Sequence, residues 1–360
     1  MFTLTELENV IPLVRASVPP TPQYVWPLLK AHTGVEVVVK HENHTPIGAF
    51  KVRGGIVYFD RLKRERPQVR GIVTATRGNH GQSLAFAGAR AGVAVTIFVP
   101  LGNSTDKNAA MRALGADLIE HGRDFDEAKE RALLLAAEGN LEYTPAFHRD
   151  LVLGVATYAH ELFTAIDDID TVYVPVGLGS AICALIGTRD VLRRKTRVVG
   201  VVAAGANAYC RSLAAGRVVP TTSAHTFADG LAVRMPDATA LEVIQRGTDH
   251  VIEVSDDQIA EAIRIIYRTT HNCAEGAGAA ALAGLIKERD QLHGRRAGVI
   301  MSGQNIDSMC LQTVLAGGTP RVDSEGKWEN ELGNPQGRTF PPAKSLSFVR
   351  EAPQPSVGVT

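Results

Sequence analysis

The apolar residues of this chain fall into short unbroken runs rather than an in–out alternation. Such runs are VEVVVKHE (35–42), GIVTAT (71–76), VAVTIFVP (93–100), DLIEHG (117–122), TVYVPVG (171–177), TRVVGVVAAG (196–205), HVIEVS (250–255) and AGVIMSG (297–303). Strands apolar on both faces belong to sheets covered by helices on both sides. The intervening stretches have helical character. HGQSLAFAGARAG (80–92) is Ala-rich and meets a C-capping Gly92, and TDKNAAMRALGA (105–116) opens with a Thr-Asp cap pair. DFDEAKERALLLAAEGN (124–140) has an acidic first turn and Gly139 near its end, and SDDQIAEAIRIIYRTTH (255–271) opens on Ser255 and two aspartates. Strands alternating with helices predict a parallel, doubly wound α/β architecture. From Gly317 the pattern is lost. Residues 317–360 are polar, rich in Pro and Gly and aperiodic, which predicts a disordered or surface-draped tail.

Composition narrows the function classes. The 360 residues carry 38 Lys+Arg and 38 Asp+Glu, so the basic excess of a nucleic-acid-binding protein is absent. RLKRERPQVR (61–70) follows an aspartate, contains a glutamate and reads as the solvated end of a helix. Cys183, Cys210, Cys273 and Cys310 lack metal or redox spacing and read as free thiols in a reducing compartment. The N-terminus has no signal-peptide pattern, and no apolar run reaches the ~18 residues of a membrane span. The expected location is the cytoplasm, with no membrane or nucleic-acid partner.

Three loops at strand ends can carry chemistry, because ligands of open α/β sheets bind at the carboxyl ends of strands. TATRGNHGQS (74–83) leads from a strand into a helix whose amino end favours an anion such as a carboxylate, or is simply a turn with an Asn cap. In VPVGLGSAICALIG (174–187) the Gly177-Leu178-Gly179-Ser180 turn suits a phosphate monoester better than a dinucleotide, since a third glycine and an acidic ribose ligand are missing. MSGQNID (301–307) ends a strand with Ser302, a neutral hydroxyl or merely a cap. Lys51, in TPIGAFKVRGG (45–55), lies among apolar residues and glycines. Desolvation lowers a lysine's pKa and frees the nucleophilic amine; the alternative is a surface lysine with its stem on apolar neighbours. A nucleophilic amine beside a phosphate loop points to pyridoxal phosphate.

Six segments, in order over residues 10–316, resemble the threonine/serine dehydratase family, fold type II of the pyridoxal-phosphate enzymes. KHENHTPIGAFKVRGG resembles its lysine segment, TRGNHGQS its Ser-x-Gly-Asn-His-x-Gln loop and VGLGSA its tetraglycine phosphate loop. TFADGLAVRMP, CAEGAGAAALAGL and SGQNID resemble its Ala-Asp-Gly, Glu-x-x-Gly-Ala-Ala and Ser-Gly-Gly-Asn segments. The resemblance implies a two-lobed α/β fold like that of the tryptophan synthase β-subunit. Residues 1–45 and 148–316 would form a large cofactor-binding lobe and 46–147 a small mobile lobe. It implies Lys51 as Schiff-base lysine and α-proton base, Phe50 beside the cofactor ring and Asn79 on its phenolic oxygen. Gly177, Leu178, Gly179, Ser180 and Ala181 would hold the phosphate, and Ser302 would face the pyridine nitrogen. Thr76, Arg77, Gly78, Asn79 and His80 would receive the substrate, with Glu275 near it or the cofactor. A hydroxyl at the ring nitrogen makes a weaker electron sink than a carboxylate would, which favours prompt loss of a β-hydroxyl. The implied reaction is dehydration of a 3-hydroxy amino acid to a 2-oxo acid and ammonia by a homodimer.

Departures from the family pattern bear on the substrate. Thr76 replaces a serine, Ala49 replaces a serine before the Phe-Lys pair, and the glycine loop is thinned. Arg77 stands where the family's racemases carry a serine acid/base. This argues against racemisation and opens a pairing with a second substrate carboxylate, as in 3-hydroxyaspartate. Threonine or serine is the default substrate, with 3-hydroxyaspartate or a bulkier substrate such as phenylserine as alternatives. His225 stands where some members have a cation-binding glutamate, so a divalent or monovalent cation near His225, Ala228 and Asp229 is a further option. With only a short stretch after Gly317, where biosynthetic members carry an effector domain, the expectation is a catabolic-type enzyme. The competing non-enzyme reading is a cofactor- or amino-acid-binding regulatory protein.

Overall fold

The described residues hold ten strands: β1 (Gln23–Val25), β2 (Glu36–His41), β3 (Gly71–Ala75), β4 (Ala94–Val99), β5 (Asp117–Glu120), β6 (Glu142–Tyr143), β7 (Thr171–Pro175), β8 (Arg197–Ala203), β9 (His250–Val254) and β10 (Arg296–Met301). They are taken, like everything below, from a computed structural model that describes residues 1–123, 125–139 and 141–322. Most of the expected tail lies outside these residues. The strands form a six-stranded sheet, β1-β2-β10-β7-β8-β9, and a four-stranded sheet, β5-β4-β3-β6. Neighbours are parallel except β1, which runs antiparallel to β2. All strands drawn from residues 46–147 enter the smaller sheet, and the described residues belong to one compact unit.

The eight apolar runs are β2 to β5 and β7 to β10; six of them have centres buried on both faces, whereas β5 and β9, each at the edge of its sheet, are only half-buried there. β1 and β6, of three and two residues, carry no such signature. Gly92 caps its helix in the left-handed conformation, and Ser255 forms a capping box with Gln258. The helix Thr105–Ala113 starts differently from expectation: Ser104, not the Thr-Asp pair, is the N-cap, its hydroxyl accepting from the Lys107 amide. The hydroxyl one residue earlier reaches the free amide of the first turn.

Sheet order reverses where β2 and β7 flank β10, and this puts the ends of β7 and β10 side by side at a switch point. Close helix contact fixes what surrounds it. The helix Lys51–Glu65 crosses Arg149–Ala165 so tightly that a Cβ on Gly154 would lie 2.2 Å from the Arg53 carbonyl oxygen. Beneath this crossing lies a buried charge network. Arg53 donates to Glu42 Oε2 (2.7 Å) and Glu161 Oε1 (2.8 Å), and Lys40 Nζ donates to Glu161 Oε2 (2.6 Å). Two cations face two carboxylates, so the cluster is neutral overall. Burial opposes the Arg53 charge, yet Glu42 and Glu161 hold its pKa above the usual guanidinium value. Removing one member would leave an uncompensated buried charge. The network therefore fixes the helix whose first residue is Lys51.

Candidate active site

The segment before Lys51 and the segment after β10 are stitched together by the backbone. Ala49 bridges Gly303, the Phe50 amide donates to the Ser302 carbonyl (3.0 Å), and the Gln304 amide donates to the Gly48 carbonyl (2.9 Å). Lys51 and Ser302, far apart in the chain, thereby share one wall. The Ser302 residue is 2% exposed.

The Lys51 amine points across the cleft. Nζ donates to Ser180 Oγ at 3.3 Å and lies 5.4 Å from the centroid of the Phe50 ring. Burial pulls its pKa down to about 8, against the opposing attraction of Glu275. At the amino end of its own helix a positive charge is disfavoured as well. A substantial share of neutral amine near pH 7–8 follows.

Ser180 opens the helix Ser180–Val191, and the turn before it, after β7, is glycine-dependent. Gly179 has φ +103°, and a Cβ on Gly177 would lie 2.1 Å from the Gly230 carbonyl oxygen. No larger residue fits at 177 without displacing backbone. The Leu178 and Ala181 carbonyls accept from the Tyr209 and Tyr158 hydroxyls (3.0 and 2.9 Å). The free first-turn amides and the buried Ser180 hydroxyl form an anion cradle beside the Lys51 amine.

The third wall comes from the β3 loop. Asn79 opens the helix Asn79–Ala91; its Nδ2 donates to Glu275 Oε1 (2.7 Å) and its Oδ1 accepts from Asn305 Nδ2 (2.7 Å). Asn79 acts through these side-chain bonds, while the N-cap position belongs to Gly78. Thr76 is buried, and its hydroxyl accepts from the Gly78 amide (3.2 Å), so that amide is engaged within the loop. His80 is 5% exposed. Burial and the nearby Lys51 push its pKa down to about 3, against a bond to the Thr144 backbone, so the ring is neutral. Its Nε2 is buried without a partner, as is Nε of Arg77.

Glu275, 8% exposed at the start of the helix Gly276–Glu288, has its pKa pushed up to about 7 by burial, opposed by Lys107 and the Asn79 bond. Lys107 is a site residue that sequence reasoning missed. It lines a small cavity with Asp229, Glu275, Asn305 and Asp307, pairs with Asp229 and is held charged by all three carboxylates despite burial. Ser104 bonds Asp307 in the same region. Asn305 belongs to the distinctive SGQNID segment, whereas nothing in the helical pattern marks Lys107.

The cation option at His225, Ala228 and Asp229 meets a different arrangement. The Asp229 carboxylate is taken by the Lys107 ammonium, the His225 amide bonds the Gly205 carbonyl, and Ala228 packs against Gly276. Among the described residues no group of three or more His, Cys, Asp or Glu side chains is arranged around a metal. The four cysteines are free.

An electrophile carrying a phosphate ester fits these residues. The amine is partly neutral, the anion cradle requires glycine where it would approach, and the buried Ser302 shares a wall with the amine. Comparison with known proteins agrees. The chain is 30% identical to the L-threonine ammonia-lyase of Thermotoga maritima over 88% of its own length and 78% of that protein. It spans 58% of the biosynthetic L-threonine dehydratase of Pasteurella multocida, at 31% identity. The processed form of threonine deaminase isoform 2 from Solanum lycopersicum superposes with a TM-score of 0.80 at 31% identity, covering 88% of this chain and 95% of that one. The family model described as pyridoxal-phosphate dependent enzyme matches residues 14–303, which makes this α/β chain a member of that family, with the fold type II architecture.

Proposed function

We propose that the protein is a pyridoxal-phosphate-dependent ammonia-lyase that dehydrates a 3-hydroxy amino acid to a 2-oxo acid and ammonia, with L-threonine or L-serine as its default substrate. The observation that carries this reading is the Lys51 amine at 3.3 Å from Ser180 Oγ, beside a glycine-dependent anion cradle. The names of the relatives support it.

Bound pyridoxal phosphate supplies an aldehyde for the amine and an electron sink for the α-carbanion. The rest of the chemistry belongs to the chain. Gly177, Leu178, Gly179, Ser180 and Ala181 would hold the phosphate through amides and one hydroxyl. Phe50 would pack beside the ring and Asn79 would hydrogen-bond its phenolic oxygen. The Lys51 amine, with its pKa lowered to about 8, would be the base that takes the α-proton of the substrate at neutral pH. The buried Ser302 would be the neutral hydroxyl at the ring nitrogen, and the lack of an ionic partner there would favour early departure of the β-hydroxyl. Thr76, Gly78, Asn79 and His80 receive the substrate carboxylate at a helix amino end. Glu275, near its titration point, is poised to exchange a proton beside Asn79. Residues 46–147 act as a small lobe that closes on residues 1–45 and 148–316 and excludes water.

We further propose a cytoplasmic homodimer. No described helix is long and apolar enough to cross a membrane. The test is a panel assay of 2-oxo acid release from L-threonine, L-serine, threo-3-hydroxyaspartate and 3-phenylserine, with Lys51→Ala as control. Turnover of at least one substrate, abolished in the variant, is expected. A cofactor-loaded protein that releases no 2-oxo acid from any of them would favour the regulatory-protein reading.

A further inference from the structure

Among the described residues Arg77 forms no ion pair, and it lies in the loop that the dehydratase reading assigns to the substrate. It follows β3 between Thr76 and Gly78, and its backbone carbonyl accepts from Asn103 Nδ2 (3.4 Å), which in turn bonds Asn108 Oδ1 (2.7 Å). The base of the side chain is therefore anchored. The guanidinium Nε is buried and unpartnered. No described carboxylate forms an ion pair with Arg77, although Lys107, whose stem packs against Gly78, has Asp229, Asp307 and Glu275 around it. The buried Nε donor is costly to leave without an acceptor, and the fork of this half-buried guanidinium is shaped for a carboxylate.

The other polar groups of the loop do not duplicate it. His80 is neutral, and Asn79 is engaged by Glu275 and Asn305. The substrate α-carboxylate already has the amino end of the helix Asn79–Ala91. Fixed positive charge at position 77 is thus surplus for a substrate with one carboxylate.

Building on the dehydratase reading above, we propose that Arg77 is a specificity-determining residue that selects 3-hydroxy amino acids with a second carboxylate on the β-carbon, 3-hydroxyaspartate being the simplest. The chemistry balances without an oxidant. The α-proton and the β-hydroxyl leave as water across the Cα–Cβ bond; one water then adds at Cα as ammonia departs, giving oxaloacetate.

The test compares cofactor-loaded wild type, Arg77→Lys and Arg77→Ala. The first readout is kcat/KM for threo-3-hydroxyaspartate relative to L-serine. The second is the calorimetric affinity for L-aspartate relative to L-alanine, ligands without a β-hydroxyl to lose. Both ratios should favour the dicarboxylate in wild type, by about 10-fold relative to Arg77→Ala, with Arg77→Lys between, as expected for losing a half-buried charge contact. If the two substrates fall together, so that neither ratio moves threefold, the proposal is overturned and Arg77 serves the α-carboxylate or the fold. If aspartate binding depends on Arg77 but no hydroxy amino acid turns over, the pairing of Arg77 with a second carboxylate stands and the dehydratase reading fails. Turnover of L-serine with both ratios indifferent to Arg77 overturns this assignment and leaves the dehydratase reading standing.

Discussion

Lys107→Met should destabilise the protein in a way that acid partly repairs. Lys107 is 8% exposed, pairs with Asp229 and is attracted by Asp307 and Glu275 as well. Methionine keeps most of the stem against Gly78 and removes the ammonium, leaving three carboxylates around one small cavity. Two unit charges ~4 Å apart interact by about 4 kcal/mol at an effective dielectric of ~20, and breaking buried pairs costs about 3–5 kcal/mol. We expect a loss of about 3 kcal/mol at pH 8. Burial already raises the pKa values of Glu275 and Asp307, while Lys107 lowers them. Without Lys107 both rise further above their unfolded values. A carboxylate raised in the folded state binds its proton more tightly there, so stability falls as pH rises through the folded pKa and returns as pH drops below it. Thermal melts of wild type and variant at pH 8.0 and 5.5 measure this. The melting gap should be about 5 °C at pH 8.0 and less than half of that at pH 5.5. A gap that is equal at both pH values, or below ~1 °C at pH 8.0, would refute the role of Lys107 as counterion of the cluster.

Two further outcomes follow from the site. Cofactor capture by apo-protein, read as growth of visible absorbance, should rise with pH to a half-maximum near Lys51's pKa of about 8; an inflection near the ordinary lysine value would contradict the desolvated amine. Gly177→Ala forces a Cβ to 2.1 Å from the Gly230 carbonyl oxygen, so the phosphate turn must move. Losing one or two charged hydrogen bonds weakens cofactor affinity by about 10²-fold, and unchanged affinity in a dialysis titration would refute the cradle.

How much of this was legible in the sequence depended on whether a signal was local. Strands buried on both faces are apolar runs, so β2 to β4, β7, β8 and β10 could be read directly; the half-buried edge strands β5 and β9 keep enough apolar residues to be read as well, whereas β1 and β6 are too short to set a pattern. Lys51 and Ser302 stood out because each sits in a distinctive segment, but their meeting depends on the bridge between Ala49 and Gly303. The network of Lys40, Glu42, Arg53 and Glu161 was invisible. Charged residues inside KHE or KVRGG look solvated until Glu161, from a distant helix, is seen to neutralise them. Lys107 was missed for the same reason, since Asp229 is 122 positions away. Ion pairing across the fold leaves no periodicity at either partner, so neither segment announces the other.

The mechanism as a whole rests on capture of the cofactor by the amine of Lys51. Borohydride reduction of pyridoxal-phosphate-loaded protein, followed by peptide mass mapping, tests it most directly. Loss of the visible band and a single reduced phosphopyridoxyl adduct on the peptide containing Lys51 are the expected results. An adduct on another lysine, or a loaded protein with no borohydride-sensitive band, would contradict that capture.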